Sequence, residues 1–136
     1  MNKHEYKRAQ NETLIREGME AFNRGDLDAL VSIFDERLES RVGPGLANAG
    51  TWRGSEGFGQ MITTWGEAFK TQRNTIVSFS HPDEHHVIAE VHQEAVGAGS
   101  GVPVEMTLYY LFEIRNGRAV RLHMYPDREA ALCAVR

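Results

Sequence analysis

The residues best suited to acid–base chemistry lie on a predicted β-strand from His86 to Val96. Its two faces are Val87, Ala89, Val91, Gln93, Ala95 and Ile88, Glu90, His92, Glu94, Val96. Apolarity alone buries the first face and leaves Glu90 and His92 in solvent or at an interface. If Val96 pairs with Val104 of the next strand, however, Glu90 lies opposite Tyr110 and His92 opposite Leu108. Both arrangements stay open at this point.

In the second arrangement Glu90 would lie under aromatic side chains. Burial would raise the pKa of its carboxyl, which could then act as a general base near neutrality, with Tyr110 as hydrogen-bond donor. Glu90, Tyr110 and His92 are therefore the candidate catalytic residues, and a solvated strand face is the alternative.

No metal site or cofactor is predicted. His81, His85 and His86 surround a proline-containing turn, but the helical HExxH spacing of zinc sites is absent, so we interpret them as exposed. The glycine-rich segment 43–50 lacks the Lys-Ser/Thr ending of a phosphate-binding loop and is interpreted as an irregular loop or pocket rim. Cys133 is the only cysteine, which excludes an intrachain disulfide.

A β-hairpin from Val102 to Asp127 must position Tyr110. A two-residue turn at Asn116-Gly117 pairs Arg115 with Arg118 and leaves both faces mixed, whereas a three-residue loop with Gly117 as bulge residue pairs Ile114 with Arg118. Burial of one apolar face favours the bulged loop. That face comprises Val104, Met106, Leu108, Tyr110, Phe112, Val120, Leu122 and Met124.

This apolar face predicts a pocket lining and leaves a second patch on the other side of the hairpin. With bulky residues of the preceding segments, the expected ligand contacts are Trp52, Trp65, Phe69, Met106, Leu108, Phe112, Leu122 and Met124. The opposite face presents Tyr109, Leu111, His123 and Tyr125, which predict a homodimer contact. Coverage of this patch by a C-terminal helix of the same chain is the alternative.

The order of elements predicts an α+β fold in a single domain, 1–136. Residues 1–10 are polar and expected to be frayed, and a helix follows from Asn11 to Asn23. Asp26 caps a second helix that includes Phe34, and Ser55 caps a third. After a short strand at Leu38–Val42, further strands are predicted at Asn74–Ser80 and His86–Val96 and in the hairpin, and Asp127 caps a last helix.

Composition restricts the partners. The chain has 136 residues, a formal net charge of −4 and scattered basic residues, so no basic surface for nucleic acid or anionic membrane is predicted. No apolar run reaches the ~18 residues of a membrane span. The polar N-terminus resembles no secretory signal, and we expect a cytoplasmic protein.

Four segments resemble the SnoaL-like branch of the nuclear transport factor two-like superfamily. They are Ala21–Leu30, Trp52–Gly57, Phe112–Arg118 and Tyr125–Leu132. The resemblance implies a cone, a curved sheet wrapped around three N-terminal helices (a cystatin-like roll) with a short C-terminal helix and an apolar cavity. It also implies sheet-to-sheet homodimers and no metal or organic cofactor.

The resemblance implies a small hydrophobic ligand and cofactor-free isomerase, cyclase or hydratase chemistry on a hydrophobic or polyketide-like compound. A non-catalytic dimerising or ligand-sensing module is the alternative. Relatives often carry acids at the positions of Tyr110 and Met124, and this chain has a phenol and a thioether there, so a usual base position is empty. Relatives also place a polar pocket residue at the position of Glu90.

Overall fold

The first helix is longer than the polar N-terminus suggests. In the computed structural model, which describes residues 2–46 and 48–136, α1 spans Lys3–Asn23. The side chain of Asn2 accepts a hydrogen bond from the backbone N–H of Glu5 and caps the helix. The helix therefore begins eight residues before the predicted start at Asn11. Gly25, two residues beyond α1, has φ 75°, the left-handed conformation in which helices commonly end.

Nine further elements follow α1. They are α2 (Leu27–Val31), β1 (Phe34–Val42), β2 (Gly50–Arg53), α3 (Gly54–Glu67), β3 (Phe69–Ser80), β4 (His86–Gly97), β5 (Pro103–Arg115), β6 (Arg118–Tyr125) and α4 (Arg128–Val135). The strands form one sheet in the order β2-β1-β6-β5-β4-β3, in which only β1 and β6 pair in parallel. The α+β prediction, with N-terminal helices and a curved open sheet, is confirmed.

Two helix boundaries differ from the sequence predictions. Asp26 caps α2 by accepting from the N–H of Ala29, as expected, but Phe34 lies in β1 because α2 has only 5 residues. Helix α3 begins at Gly54, with φ 71°, and has no side-chain cap, so the prediction of Ser55 as its cap is wrong. Strand β2, whose four residues pair with β1, was not predicted.

The β5–β6 hairpin combines features of both predicted turns. Asn116 and Gly117 have φ values of 52° and 74°, and Arg115 pairs with Arg118, which is a two-residue type I′ turn. The three-residue loop is therefore wrong. The register shifts within β6 instead, where Val120 is the extra residue between the partners of Ile114 and Glu113.

The displaced bulge preserves most of the predicted inner face. Tyr110 pairs with Met124, Phe112 pairs with Leu122, and all four side chains are buried in the main core. Val120 does not join them, and Ala119 is buried in its place. The prediction that Tyr110 lies on the buried face is confirmed, whereas the three-residue loop would have paired it with Leu122 instead of Met124.

The β4–β5 pairing differs by one residue from the one that placed Glu90 inside. Val96 pairs with Pro103, so Ala89 lies opposite Tyr110 and Glu90 opposite Tyr109. A slip of one residue exchanges the two faces of a strand. The buried face is thus the one that apolarity favours, and its members are Val87, Ala89, Val91, Gln93 and Ala95.

Helix α4 covers part of the outer face of the sheet. Ala131 packs with Ile88, Leu111 and Tyr125 in a second buried cluster, against which Tyr109 also packs. The chain's own helix thus covers Leu111 and Tyr125, two of the four residues predicted as a dimer contact, whereas Tyr109 and His123 are partly exposed. Homodimerisation itself stays a prediction. Among the described helices, none has the length and apolarity to cross a membrane.

Candidate functional site

A small cavity lies between the three N-terminal helices and the inner face of the sheet. Its volume is about 50 Å³. Helices and their connections contribute Ile15, Gly18, Met19, Phe22, Leu30, Ile33, Phe58, Met61, Ile62 and Trp65, and the strands contribute Phe34, Asn74, Gln93, Tyr110, Phe112, Leu122 and Met124. Most of this surface is apolar because the amphipathic faces of α1 and α3 meet the apolar face of the hairpin.

The polar part of the cavity lining is a cluster of three side chains on adjacent strands. Gln93 on β4 donates from Nε2 to Oδ1 of Asn74 on β3, at 2.8 Å. Tyr110 on β5 lines the same cavity. The register places Asn74 directly opposite Gln93, so backbone pairing brings the two amides together. We call Asn74, Gln93 and Tyr110 the polar cluster.

The backbone at Asn74 is held by the end of α1. Asn23 donates from Nδ2 to the Asn74 carbonyl oxygen at 2.7 Å, and its Oδ1 accepts from the Asn74 N–H at 2.8 Å. Because β3 is an edge strand, these backbone groups face no neighbouring strand. The Asn23 amide satisfies both of them and fixes the position of the polar cluster.

The hydroxyl of Tyr110 stays protonated. Burial raises the pKa of Tyr110 above that of a free tyrosine, and the side chain of Asn74 opposes only part of this rise. Among the described residues, no Asp, Glu, His, Lys or Arg lines the cavity. The site is therefore electrically neutral, and its polar cluster can donate and accept hydrogen bonds without holding a charge.

One acceptor of the polar cluster has no partner. Gln93 is fully buried, and its Oε1 accepts no hydrogen bond from any described residue. Among the described residues, the only other buried side-chain atom without a hydrogen-bond partner is His85 Nδ1, which does not line the cavity. An unsatisfied buried carbonyl is costly, and native structures contain few of them.

The predicted ligand contacts divide into two groups. Trp65, Phe112, Leu122 and Met124 line the cavity together with Tyr110. The others do not: Leu108 is buried elsewhere in the core, and Trp52, Phe69 and Met106 pack against that core while partly exposed. Whether a ligand contacts any of these residues stays a prediction.

The predicted general base lies outside the cavity. Oε1 of Glu90 is 2.9 Å from Nη2 of Arg128, at the start of α4, on the outer face of the sheet. His92 lies on the same face, with Nε2 3.7 Å from Oε1 of Glu94. The pairing of Glu90 with Tyr110 is therefore wrong, and neither Glu90 nor His92 can reach a molecule in the cavity.

His81 and His86, which were predicted to be exposed, are half-buried and interact with carboxylates. Nε2 of His81 is 2.6 Å from Glu12, and Nδ1 of His86 is 2.9 Å from Asp83. Within the described ranges, the residues that could hold a metal ion together are His92, Glu94 and Glu105, whose ligand atoms lie within 4.8 Å of one another. This group is on the outer face, and both glutamates are exposed.

Sequence reasoning did not identify Asn23, Asn74 or Gln93 as site residues. Gln93 had a detectable signal, since it is the one polar residue on the otherwise apolar face of β4. Asn23 and Asn74 had none, because their contact joins positions 51 residues apart.

Solved structures share this fold. TerC co-crystallised with polyporic acid is 18% identical, with a TM-score of 0.79 over 89% of this chain and 94% of that one. A ketosteroid isomerase-like protein from Catenulispora acidiphila, in complex with trimethylamine, is 16% identical, with a TM-score of 0.72 over 82% and 83%. A candidate SnoaL-like polyketide cyclase from Jannaschia sp. is 14% identical, with a TM-score of 0.75 over 93% and 92%.

At these identities the structures establish the fold alone. A comparison with curated protein sequences finds no match. The model of the SnoaL-like domain, in contrast, matches residues 15–122, which include the polar cluster and every described residue of the cavity lining except Met124. The chain therefore belongs to the SnoaL-like family.

Proposed function

We propose that the chain binds a small, uncharged, mainly apolar molecule in the cavity between the N-terminal helices and the sheet. The observation that carries this proposal is the composition of the lining, which is apolar except for one neutral polar cluster. Apolar walls with a few placed polar groups are typical of small-molecule sites. Two structural neighbours have small molecules bound, polyporic acid in one and trimethylamine in the other.

The ligand must be compact or the cavity must expand. A volume of about 50 Å³ is well below the ~300–1,000 Å³ of drug-sized pockets. Met19, Met61 and Met124 are part of the lining, and methionine side chains readily change rotamer to fit an irregular shape. We therefore expect a molecule of about one ring, bound with rearrangement of these methionines.

The neutral lining favours binding over isomerase, cyclase or hydratase chemistry. Proton abstraction requires a base within hydrogen-bond reach of the substrate. Among the described residues the cavity offers no carboxylate or imidazole, and burial raises the pKa of Tyr110, so its hydroxyl does not act as a base near neutrality. Tyr110 can instead donate a hydrogen bond that orients the ligand.

A titration followed by NMR tests this proposal. Isotope-labelled protein is mixed with one-ring neutral molecules, and we expect shifts at the Trp65 indole and at the side-chain amides of Asn74 and Gln93. Leu122→Phe, which fills the cavity, should weaken binding roughly tenfold or more, since overpacking costs ~1–3 kcal/mol.

Leu111→Phe is the matched control, because Leu111 is buried on the opposite face under α4. Circular dichroism checks the fold of both variants. The proposal is contradicted if both variants lose affinity for the ligand equally. It is also contradicted if none of the one-ring molecules shifts the NMR signals of the Trp65, Asn74 or Gln93 side chains.

A further inference from the structure

The free hydrogen-bonding groups of the polar cluster specify a ligand more closely than the apolar walls do. Gln93 is on a strand face whose neighbours are Val91 and Ala95, where an apolar residue would fit the core. Its Nε2 has a partner in Asn74 at 2.8 Å, but its Oε1 has none among the described residues. A ligand that donates a hydrogen bond to Oε1 would remove the cost of this unsatisfied acceptor.

The cavity lining holds a donor as well, the hydroxyl of Tyr110. Burial raises the pKa of this hydroxyl, so it keeps its proton near neutrality. The proton of the Tyr110 hydroxyl remains available for a ligand acceptor.

The geometry points to a neutral hydroxyl compound, a phenol or an alcohol of about one ring, as the ligand class of this cavity, and this inference rests on the proposed function. A single hydroxyl group both donates and accepts, so it can donate to Gln93 Oε1 and accept from the Tyr110 hydroxyl. Gln93 and Tyr110 line the same cavity of about 50 Å³, so one small ligand can reach both side chains.

Other ligand classes satisfy the cluster less well. A ketone or an ether accepts from Tyr110 but leaves Gln93 Oε1 unsatisfied. A carboxylate lacks the donor that Oε1 requires and would be buried without a countercharge, since no described basic residue lines the cavity. An ammonium group would likewise find no carboxylate. A hydroxyl compound alone uses both free groups and carries no charge.

Phenol, toluene and benzoate form a matched set of probes for calorimetric or NMR titration of the wild-type protein near pH 7. In a purely apolar cavity toluene binds better than phenol, because burial of an unpartnered hydroxyl is unfavourable. With two partners for the hydroxyl, we expect the order to reverse, with phenol binding roughly tenfold tighter than toluene. Benzoate should not bind detectably at the same concentrations.

Gln93→Met tests the origin of the preference, since it keeps the side-chain length and removes the acceptor. In this variant toluene should bind at least as tightly as phenol. Gln72→Met is the matched control: Gln72 lies beside Gln93, with Oε1 3.5 Å from its Nε2, but does not line the cavity. Like the wild type, the Gln72→Met variant should bind phenol more tightly than toluene.

The outcomes separate the two proposals. Toluene binding as tightly as phenol to the wild type, or benzoate binding comparably, overturns the hydroxyl inference and leaves the proposed function intact. Absence of binding for all three probes overturns both. If Gln93→Met does not fold, the order of the three affinities measured on the wild-type protein still tests the hydroxyl inference.

Discussion

Asn23 and Asn74 exchange two hydrogen bonds, of 2.7 and 2.8 Å, between the last residue of α1 and the edge strand β3. The Asn23 side chain satisfies the backbone of Asn74 in the way a neighbouring strand would. The Asn74 side chain is thereby free to bond Gln93 at the cavity. One asparagine outside the cavity lining thus holds the polar cluster in position.

Removal of the Asn23 amide should destabilise the protein and disturb the site. We expect Asn23→Ala to lower the free energy of unfolding by about 1–3 kcal/mol, because two partly buried backbone groups of Asn74 lose their partners. Urea denaturation measures this change. Arg24→Ala, at the next position, removes only an exposed ion pair with Asp26 and should change it by less than about 1 kcal/mol. Equal effects of the two variants would contradict the role given to Asn23.

Alkaline pH should destabilise the folded protein through Tyr110. Burial raises the pKa of this tyrosine from its usual 10.0, so above about pH 10 the unfolded chain loses a proton that the folded protein keeps. The free energy of unfolding then falls with pH, by ~1.4 kcal/mol per pH unit for one proton. Below pH 10 this contribution is fully present.

Urea denaturation at several pH values above 10 measures that slope. In Tyr110→Phe the free energy of unfolding should fall less steeply with pH than in the wild type, by the contribution of about one proton. Tyr6→Phe is the control, because Tyr6 is 59% exposed. Tyr125, whose pKa burial also raises, is unchanged in both variants. Identical slopes for Tyr110→Phe and Tyr6→Phe would show that Tyr110 does not keep its proton in the folded state.

The sequence was sufficient to predict the inner face of the hairpin but not its pairing with β4. Alternation identifies Leu108, Tyr110 and Phe112 as one face regardless of the turn. On β4, the apolar alternation of Val87, Ala89 and Val91 also predicted the buried face correctly. The competing placement of Glu90 failed because it required a register one residue away from the observed pairing of Val96 with Pro103.

The polar cluster required three-dimensional information. Asn74 and Gln93 meet because β3 and β4 pair at those positions, and Asn23 reaches them only because α1 ends beside β3. The cavity volume depends in the same way on how the side chains of three helices pack against the sheet, which no local pattern determines.

Glu90→Gln should not alter ligand binding. The Glu90 carboxylate lies on the outer face, 2.9 Å from Arg128, with the side chains 24% and 45% exposed. Loss of a partly exposed ion pair changes the free energy of unfolding by ~0–1 kcal/mol. The affinity for phenol should stay within about twofold of the wild type, whereas Tyr110→Phe, which removes the donor, should weaken it roughly tenfold. If Glu90→Gln weakened phenol binding as much as Tyr110→Phe, Glu90 would be part of the binding site.

Leu111 offers a test of how the outer face is covered. Its side chain is 4% exposed and packs with Ile88, Tyr125 and Ala131 beneath α4. If this contact is the main role of Leu111, then Leu111→Asp places an unpaired carboxylate against α4 and should lower the free energy of unfolding by about 3–5 kcal/mol. A dimer contact would instead lower the molecular mass in solution without a comparable loss of monomer stability.

Urea denaturation combined with light scattering distinguishes these two roles of Leu111. We expect Leu111→Asp to lose stability, and Leu111→Met, which conserves volume and apolarity, to lose less than about 1.5 kcal/mol. A homodimer has twice the 15.3 kDa chain mass, and because α4 covers Leu111 the Met variant should keep whatever mass the wild type has. If Leu111→Asp converts a wild-type dimer to a monomer of unchanged stability, α4 does not cover this residue in solution, and the outer face is the dimer contact after all.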